Sequence, residues 1–216
     1  MIVLQFIGAI ALGYLIGAIP FGVIVGRLTR GIDVREFGSG SMGMTNVLRT
    51  VGTVAAVVVF CADLAKGAAA VALALPILSS TPAVVPWGMA AAGVAAVVGH
   101  SWPVYIGFRG GRGVTTGFGA LLVMSWPIGV ISFAIFIAVV ATWRYVSLGS
   151  MAAAVAMLVV TIPFVLLGWE PIAYLVYGLA VVPAVIFRHR GNIGRLRHGT
   201  EPKLGKSQPD SEGAGQ

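Results

Sequence analysis

"MIVLQFIGAIALGYLIGAIPFGVIVGRLTR", residues 1–30, carries no charge until Arg27 and Arg30 close it. About 20 apolar residues suffice for a helix to cross the ~30 Å hydrocarbon core of a bilayer. No basic residue precedes the run, no small-residue cleavage site ends it, and its positive flank comes after it. A secretory leader has the opposite layout. The segment therefore reads as a first transmembrane span with its N-terminus outside.

Composition carries the same reading over the rest of the chain. Of 216 residues, 58% are hydrophobic and 10% charged, and mean hydropathy is +0.96. A soluble domain usually carries about 25% charged residues. Apolar stretches at 2–26, 53–78, 84–100, 114–125, 127–143, 148–167 and 172–187 predict an all-α integral membrane protein, a bundle of about seven transmembrane helices. The stretch 114–125 is short for a crossing and is expected to tilt, or to unwind where the loop before it enters. That leaves the count open by two.

Charge sets the expected orientation. With the N-terminus outside, the connections 27–52, 101–113, 144–147 and everything from 188 lie in the cytoplasm. They hold every one of the 14 Lys and Arg except Lys66, while the opposite connections hold no base and one acid, Glu170. This bias predicts an odd number of spans and a cytoplasmic C-terminus. Residues 1–205 read as one membrane domain and 206–216, KSQPDSEGAGQ, as a disordered polar tail. Cys61 reads as a buried small hydrophobe, and no metal site is expected. The basic loops suit a lipid bilayer, so no nucleic-acid partner is expected.

Three loops on the basic side contain more than topology needs. In "FGSGSMGMTNVLRTVG", residues 37–52, glycines and Ser39 feed a helical run carrying Thr45, Asn46 and Arg49. A glycine turn entering a helix N-terminus offers free N–H groups to an anion. In "GHSWPVYIGFRGGRGVTT", residues 99–116, Gly110, Gly111 and Gly113 lie among Arg109 and Arg112, with Thr115 and Thr116 at the next helix start. An amide nest flanked by guanidinium forks suits a phosphate. The pattern is not a Walker A loop, because Arg112 and Val114 stand at its Lys and Ser/Thr positions. In "RHRGNIGRLRHGTEPKLG", residues 188–205, His189 and Asn192 share a helix face, and Ile193 and Leu196 suit an interfacial anchor. Arg27, Arg30, Arg195 and Arg197 read as topological charges. Asp63 and Lys66, at i, i+3 in the second span, read as a structural ion pair holding that span near the site. Ser147 and Ser150 follow Arg144 at the mouth of the sixth span, where they can donate to an anion or bond back to their own helix.

Together these segments resemble the bacterial acyl-phosphate–glycerol-3-phosphate acyltransferase family, PlsY. That family carries a GSGN-x-G-x-TN-V-x-R-x-x-G loop, here GSGSMGMTNVLRTVG. It carries a GH-x-FPV…F-K-GG-K-GVAT loop, here GHSWPVYIGFRGGRGVTT, and an H-x-EN-I-x-RL-x-x-GTE-x-K motif, here HRGNIGRLRHGTEPK. The likeness covers residues 1–205 in matching order. Ser41 replaces an Asn, Arg109 and Arg112 replace lysines, and Gly191 replaces a Glu.

The resemblance implies acyl transfer from a fatty acyl phosphate to the 1-hydroxyl of sn-glycerol 3-phosphate at the bacterial inner membrane, with the site facing the cytoplasm and no cofactor. It implies a phosphate clamp of Gly110, Gly111, Arg112 and Gly113, with Arg109, Thr45, Asn46 and Ser147 as further substrate contacts. Ser39 and Arg49 complete the clamp, and His189 and Asn192 orient the acceptor hydroxyl or its phosphate. An upstream enzyme that makes acyl phosphate is the implied partner. Two other readings compete. A His-x4-Asp acyltransferase fails because no histidine has an aspartate five positions on. A transporter or channel for a phosphorylated solute fits the cationic loops but not the absence of cations on the opposite side.

Overall fold

The computed structural model describes residues 1–205, which form ten α-helices and the loops between them. They are α1 (Ile2–Ala18), α2 (Phe21–Arg30), α3 (Met44–Thr50), α4 (Thr53–Leu78) and α5 (Val85–Ser101), then α6 (Val114–Met124), α7 (Trp126–Trp143), α8 (Val146–Leu166), α9 (Ile172–Arg188) and α10 (Arg190–Arg197). The predicted tail, 206–216, lies outside the described residues.

All seven apolar stretches are helical, but they are not equal as spans. Five helical runs among the described residues are long and apolar enough to cross a membrane, and six if α9 and α10, bent by 56°, count as one. The 11-residue α6 extends only about 16 Å at 1.5 Å per residue, roughly half the hydrocarbon thickness. The first stretch is also not one continuous helix. Pro20 has no N–H to give, so the chain breaks between α1 and α2. The Ile19 carbonyl freed there accepts a hydrogen bond from Lys66 Nζ of α4 at 2.9 Å. Lys66 in turn lies 2.7 Å from Asp63 Oδ1. The pair inside α4 thus closes a helix break and braces α1 against α4.

Side chains that face lipid stay apolar. Only 17% of the apolar window of α7 is buried inside the protein, and Val54 on α4 is 80% exposed. A helix apolar all round with so little protein cover has lipid as its partner. Cys61 corrects one expectation: it is exposed rather than buried. It sits on the same uncovered surface of α4.

Helix α5 occupies the middle, packed on α1, α4, α6 and α9. Val97, Ala120, Leu121, Ile128, Tyr177 and Val181 form the centre of the core. The short α6 is seated by two close approaches to α4. A Cβ at Gly67 would strike the Thr116 carbonyl, and one at Gly119 would strike the Leu64 carbonyl. Tyr177 then donates its hydroxyl to the Gly117 carbonyl at 2.8 Å, fixing α6 to α9. The start of α6 is held at a set depth by its neighbours.

The loops predicted to carry chemistry collect at one end of the bundle. Arg35 Nη1 donates to the Ile106 carbonyl at 2.9 Å, joining the first loop to the second. Arg188 joins the second loop to the C-terminal segment. Arg144 Nη2 donates to the Leu204 carbonyl at 2.8 Å, drawing that segment onto the α7–α8 turn.

Candidate active site

In the first loop Asn46 is the organiser. Its side chain is 1% exposed. Nδ2 donates to the carbonyls of Val34 (2.7 Å), Ser41 (2.8 Å) and Phe37 (3.2 Å). Oδ1 accepts from the Ser39 amide at 2.9 Å. With its polar atoms bonded to backbone, Asn46 shapes the loop from within. Ser39 is thereby held at the surface, with Thr45 beside it on the first turn of α3. Arg49 is exposed on the same short helix.

The second loop is built differently from an amide nest. Gly107 and Phe108 both take the left-handed conformation (φ 68° and 61°), turning the chain back on Pro103. The Gly111 amide donates to the His100 carbonyl at 3.0 Å. The carbonyls of Gly110 and Gly111 accept from Arg188 Nη2 and Nε, each at 2.9 Å. Gly111 lies so close to the His100 ring that a Cβ would collide with Nε2. The Gly111 amide is thus taken by protein, while the amides of Gly110, Arg112 and Gly113 make no backbone hydrogen bond among the described residues. His100 is buried, with Thr116 Oγ1 3.2 Å from its Nδ1. Arg109 is exposed, and its carbonyl accepts from Arg35 at 3.2 Å.

The C-terminal segment contains the main residue that sequence reasoning passed over. Glu201 is the lone acid among the arginines of 188–205 and is 8% exposed. Its Oε1 accepts from Ser147 Oγ and Asn192 Nδ2, both at 2.6 Å. Its Oε2 accepts from Arg195 Nε at 2.7 Å. Burial raises its pKa, but these three hydrogen bonds outweigh that and leave it below the ordinary carboxylate range. Ser147 and Asn192 are thus tied to a carboxylate, and Arg195 is a structural partner rather than a topological charge. Ser150 bonds back to the Val146 carbonyl at 2.8 Å.

His189 sits where α9 bends into α10, 1% exposed. Its Nδ1 is 2.8 Å from the Val185 carbonyl. A carbonyl can only accept, so Nδ1 carries the proton and Nε2 keeps a lone pair. Burial, more than any other influence, lowers its pKa to about 4, so the ring is neutral at physiological pH.

These parts meet around one cavity of about 370 Å³. Of the predicted residues, Ser39, Thr45, Asn46, Arg112, Gly113 and His189 line it. Arg49, Arg109, Gly110, Gly111, Ser147 and Asn192 are not among its lining residues. The far part is apolar, walled by Phe60, Phe118, Phe133, Phe136 and Met157. Phe133 stacks on Phe118 and Phe136 at centroid distances of 5.2 and 5.9 Å. Burial lowers the Arg112 pKa to about 10, with Glu201 pulling it upward, so it remains cationic at pH 7. Unlike Arg35 and Arg195, it forms no ion pair among the described residues. The cavity can therefore hold an anionic head beside Arg112 and the α6 N-terminus, with an alkyl chain running inward.

Known proteins resemble this chain over most of its length. Residues 7–199 match the family model described as glycerol-3-phosphate acyltransferase. The glycerol-3-phosphate acyltransferase of Parasynechococcus marenigrum (strain WH8102) is 44% identical over 197 residues, 91% of this chain and 89% of that one. That of Synechococcus sp. (strain JA-3-3Ab) is 45% identical over 202 residues, 92% and 93% of the two chains. Among solved structures, the glycerol 3-phosphate form of PlsY, an integral membrane glycerol 3-phosphate acyltransferase, superposes with a TM-score of 0.83. It is 33% identical and covers 93% of this chain and 96% of its own. The lysophosphatidic acid form of PlsY gives 0.80 at 32% identity, covering 93% and 95%.

Proposed function

This chain belongs to the glycerol-3-phosphate acyltransferase family, and on that premise we propose that its acyl donor is a fatty acyl phosphate. The transporter reading falls away, since the family is one of enzymes of lipid biosynthesis. In the proposed reaction the 1-hydroxyl oxygen of sn-glycerol 3-phosphate attacks the acyl carbonyl. The new ester bond forms, the acyl–phosphate bond breaks, and inorganic phosphate leaves with 1-acyl-glycerol 3-phosphate. A mixed anhydride is already activated, so orientation and charge stabilisation provide most of the acceleration.

The cavity is the observation that carries this reading. Its apolar part suits a fatty chain, and Arg112, Ser39, Thr45 and Val114 at the start of α6 line the same cavity, which supports a phosphate bound beside them. Arg112 takes the phosphate of glycerol 3-phosphate, and Arg49, exposed on α3, serves the phosphate of the acyl donor. His189 Nε2 accepts a hydrogen bond from the glycerol 1-hydroxyl and so points its oxygen at the acyl carbon. It is not the final proton acceptor. With a pKa of about 4 it is a weaker base than a phosphomonoester, whose second pKa is about 6. The proton passes to a substrate phosphate oxygen. Glu201 holds Asn192 and Arg195 behind His189.

We take α6 as a short seventh crossing, which gives the odd number that an outer N-terminus and a cytoplasmic C-terminus require. The site then faces the cytoplasm of a bacterial inner membrane, where glycerol 3-phosphate and an upstream acyl-phosphate-producing enzyme are at hand. Residues 1–205 act as one domain. The test uses purified, detergent-solubilised protein with palmitoyl phosphate or palmitoyl-CoA. Phosphate release that depends on glycerol 3-phosphate is the expected result. Transfer from the thioester alone would overturn the donor assignment.

A further inference from the structure

Arg188 ends α9 outside the cavity wall, yet it makes the most specific contact to the second loop. Its Nε and Nη2 span two consecutive carbonyls, Gly111 and Gly110, at 2.9 Å each. Its guanidinium carbon lies 5.4 Å from the centroid of the Trp102 ring, which fixes the plane of the fork. A trans peptide is planar, with its C=O and N–H pointing in opposite directions. Turning the Gly110 carbonyl toward Arg188 therefore turns the Gly111 amide away from it, and that amide meets the His100 carbonyl at 3.0 Å. The same geometry applied to the next peptide turns the Arg112 amide away from Arg188. Arg112 lines the cavity, so the orientation of its backbone, and the point from which its side chain starts, are set by Arg188.

We propose that Arg188 is a positioning residue for glycerol 3-phosphate, acting through the Gly110–Gly111–Arg112 peptides and never touching the substrate. A charge-assisted bond to each carbonyl also polarises that peptide, strengthening donation by the N–H on its other face. The peptide between Gly111 and Arg112 thereby becomes a better phosphate donor. Lysine cannot replace this. One ammonium does not reproduce a planar fork on two successive carbonyls, nor its stacking on an indole. The inference rests on the proposed phosphate contact of Arg112.

The test compares Arg188→Gln, Arg188→Lys, Arg112→Gln and the double variant Arg112→Gln/Arg188→Gln in acyl transfer from palmitoyl phosphate. KM for glycerol 3-phosphate and kcat are determined separately, with thermal unfolding in detergent as a second reading. Arg188→Gln should raise that KM about ten-fold or more while kcat changes less than three-fold, with Arg188→Lys between it and the wild type. Because both residues act on one phosphate, the double variant should lose little beyond the worse single one. Free guanidinium should restore part of the lost affinity in Arg188→Gln and none in Arg112→Gln/Arg188→Gln. A wild-type KM in Arg188→Gln overturns the proposal. So does a uniform loss of kcat in both Arg188 variants that follows a lower unfolding temperature and is not rescued by guanidinium. If Arg112→Gln itself leaves KM unchanged, the phosphate contact fails, and the proposal falls with it for that separate reason.

Discussion

At the scale of single residues, the arginines differ in what already engages them. Arg35, Arg188 and Arg195 are engaged with carboxylates or carbonyls, whereas Arg112 lines the cavity and has no ion pair among the described residues. Removing its charge should therefore act on the reaction itself. Arg112→Gln deletes a charge-assisted interaction of roughly 1.5–3 kcal/mol, so kcat/KM should fall about ten- to hundred-fold. Arg112→Lys keeps the charge and should retain much of the activity. A second prediction concerns protons. His189 is neutral above about pH 4, so an acidic limb of kcat/KM near pH 6 belongs to the phosphate. His189→Gln should slow turnover yet leave the midpoint of that limb in place; a shift of more than one pH unit would assign the limb to the imidazole. Glu201 gives a stability prediction. Its pKa is depressed from the ordinary 4.5, so its contribution is complete above that pH and fades as pH falls through the lower folded value. Glu201→Gln should unfold at a lower temperature at pH 7 and show a smaller further loss on acidification below about pH 4.5.

At the scale of elements, what the sequence made readable was the apolar helices and the three loops, because length, hydropathy and glycine spacing are local properties. What stayed hidden was how those loops bind one another. GFRGGRG looks like a cradle of amides, and nothing within it shows that Arg188, 77 residues from Gly111, turns two of its carbonyls. Glu201 was legible only as the one acid in a basic segment. Its partners Ser147 and Asn192 come from two different helices. The break at Pro20 was readable in principle from the proline, but its closure by Lys66 required knowing that α4 packs on α1. The short α6 is the element most dependent on its neighbours. Gly119→Val puts a side chain against the α4 backbone, and overpacking of this kind costs about 1–3 kcal/mol. The variant should unfold at a clearly lower temperature in detergent, with activity lost in parallel because Gly113, Val114 and Thr115, around the start of α6, line the cavity.

At the scale of the whole molecule, the loops at one end are tied by hydrogen bonds that run from the first loop to the second, from the second to α9, and from α10 onward to the α7–α8 turn. If that end faces the cytoplasm, single cysteines at Ser79 and Glu170, in a background with Cys61 replaced, should react with an impermeant thiol reagent on intact cells. A cysteine at Ser41 should react only after the membrane is opened, and the reverse pattern would invert the topology. Glu201 gathers donors from α8 and α10 and lies later in the chain than every other residue of the site. During synthesis the spans enter the bilayer in order, and the apolar pocket takes form between them well before its anchor exists. A chain that stops short of Glu201 lacks the carboxylate that joins α8 to α10, so this tie forms only after all ten helices have been made.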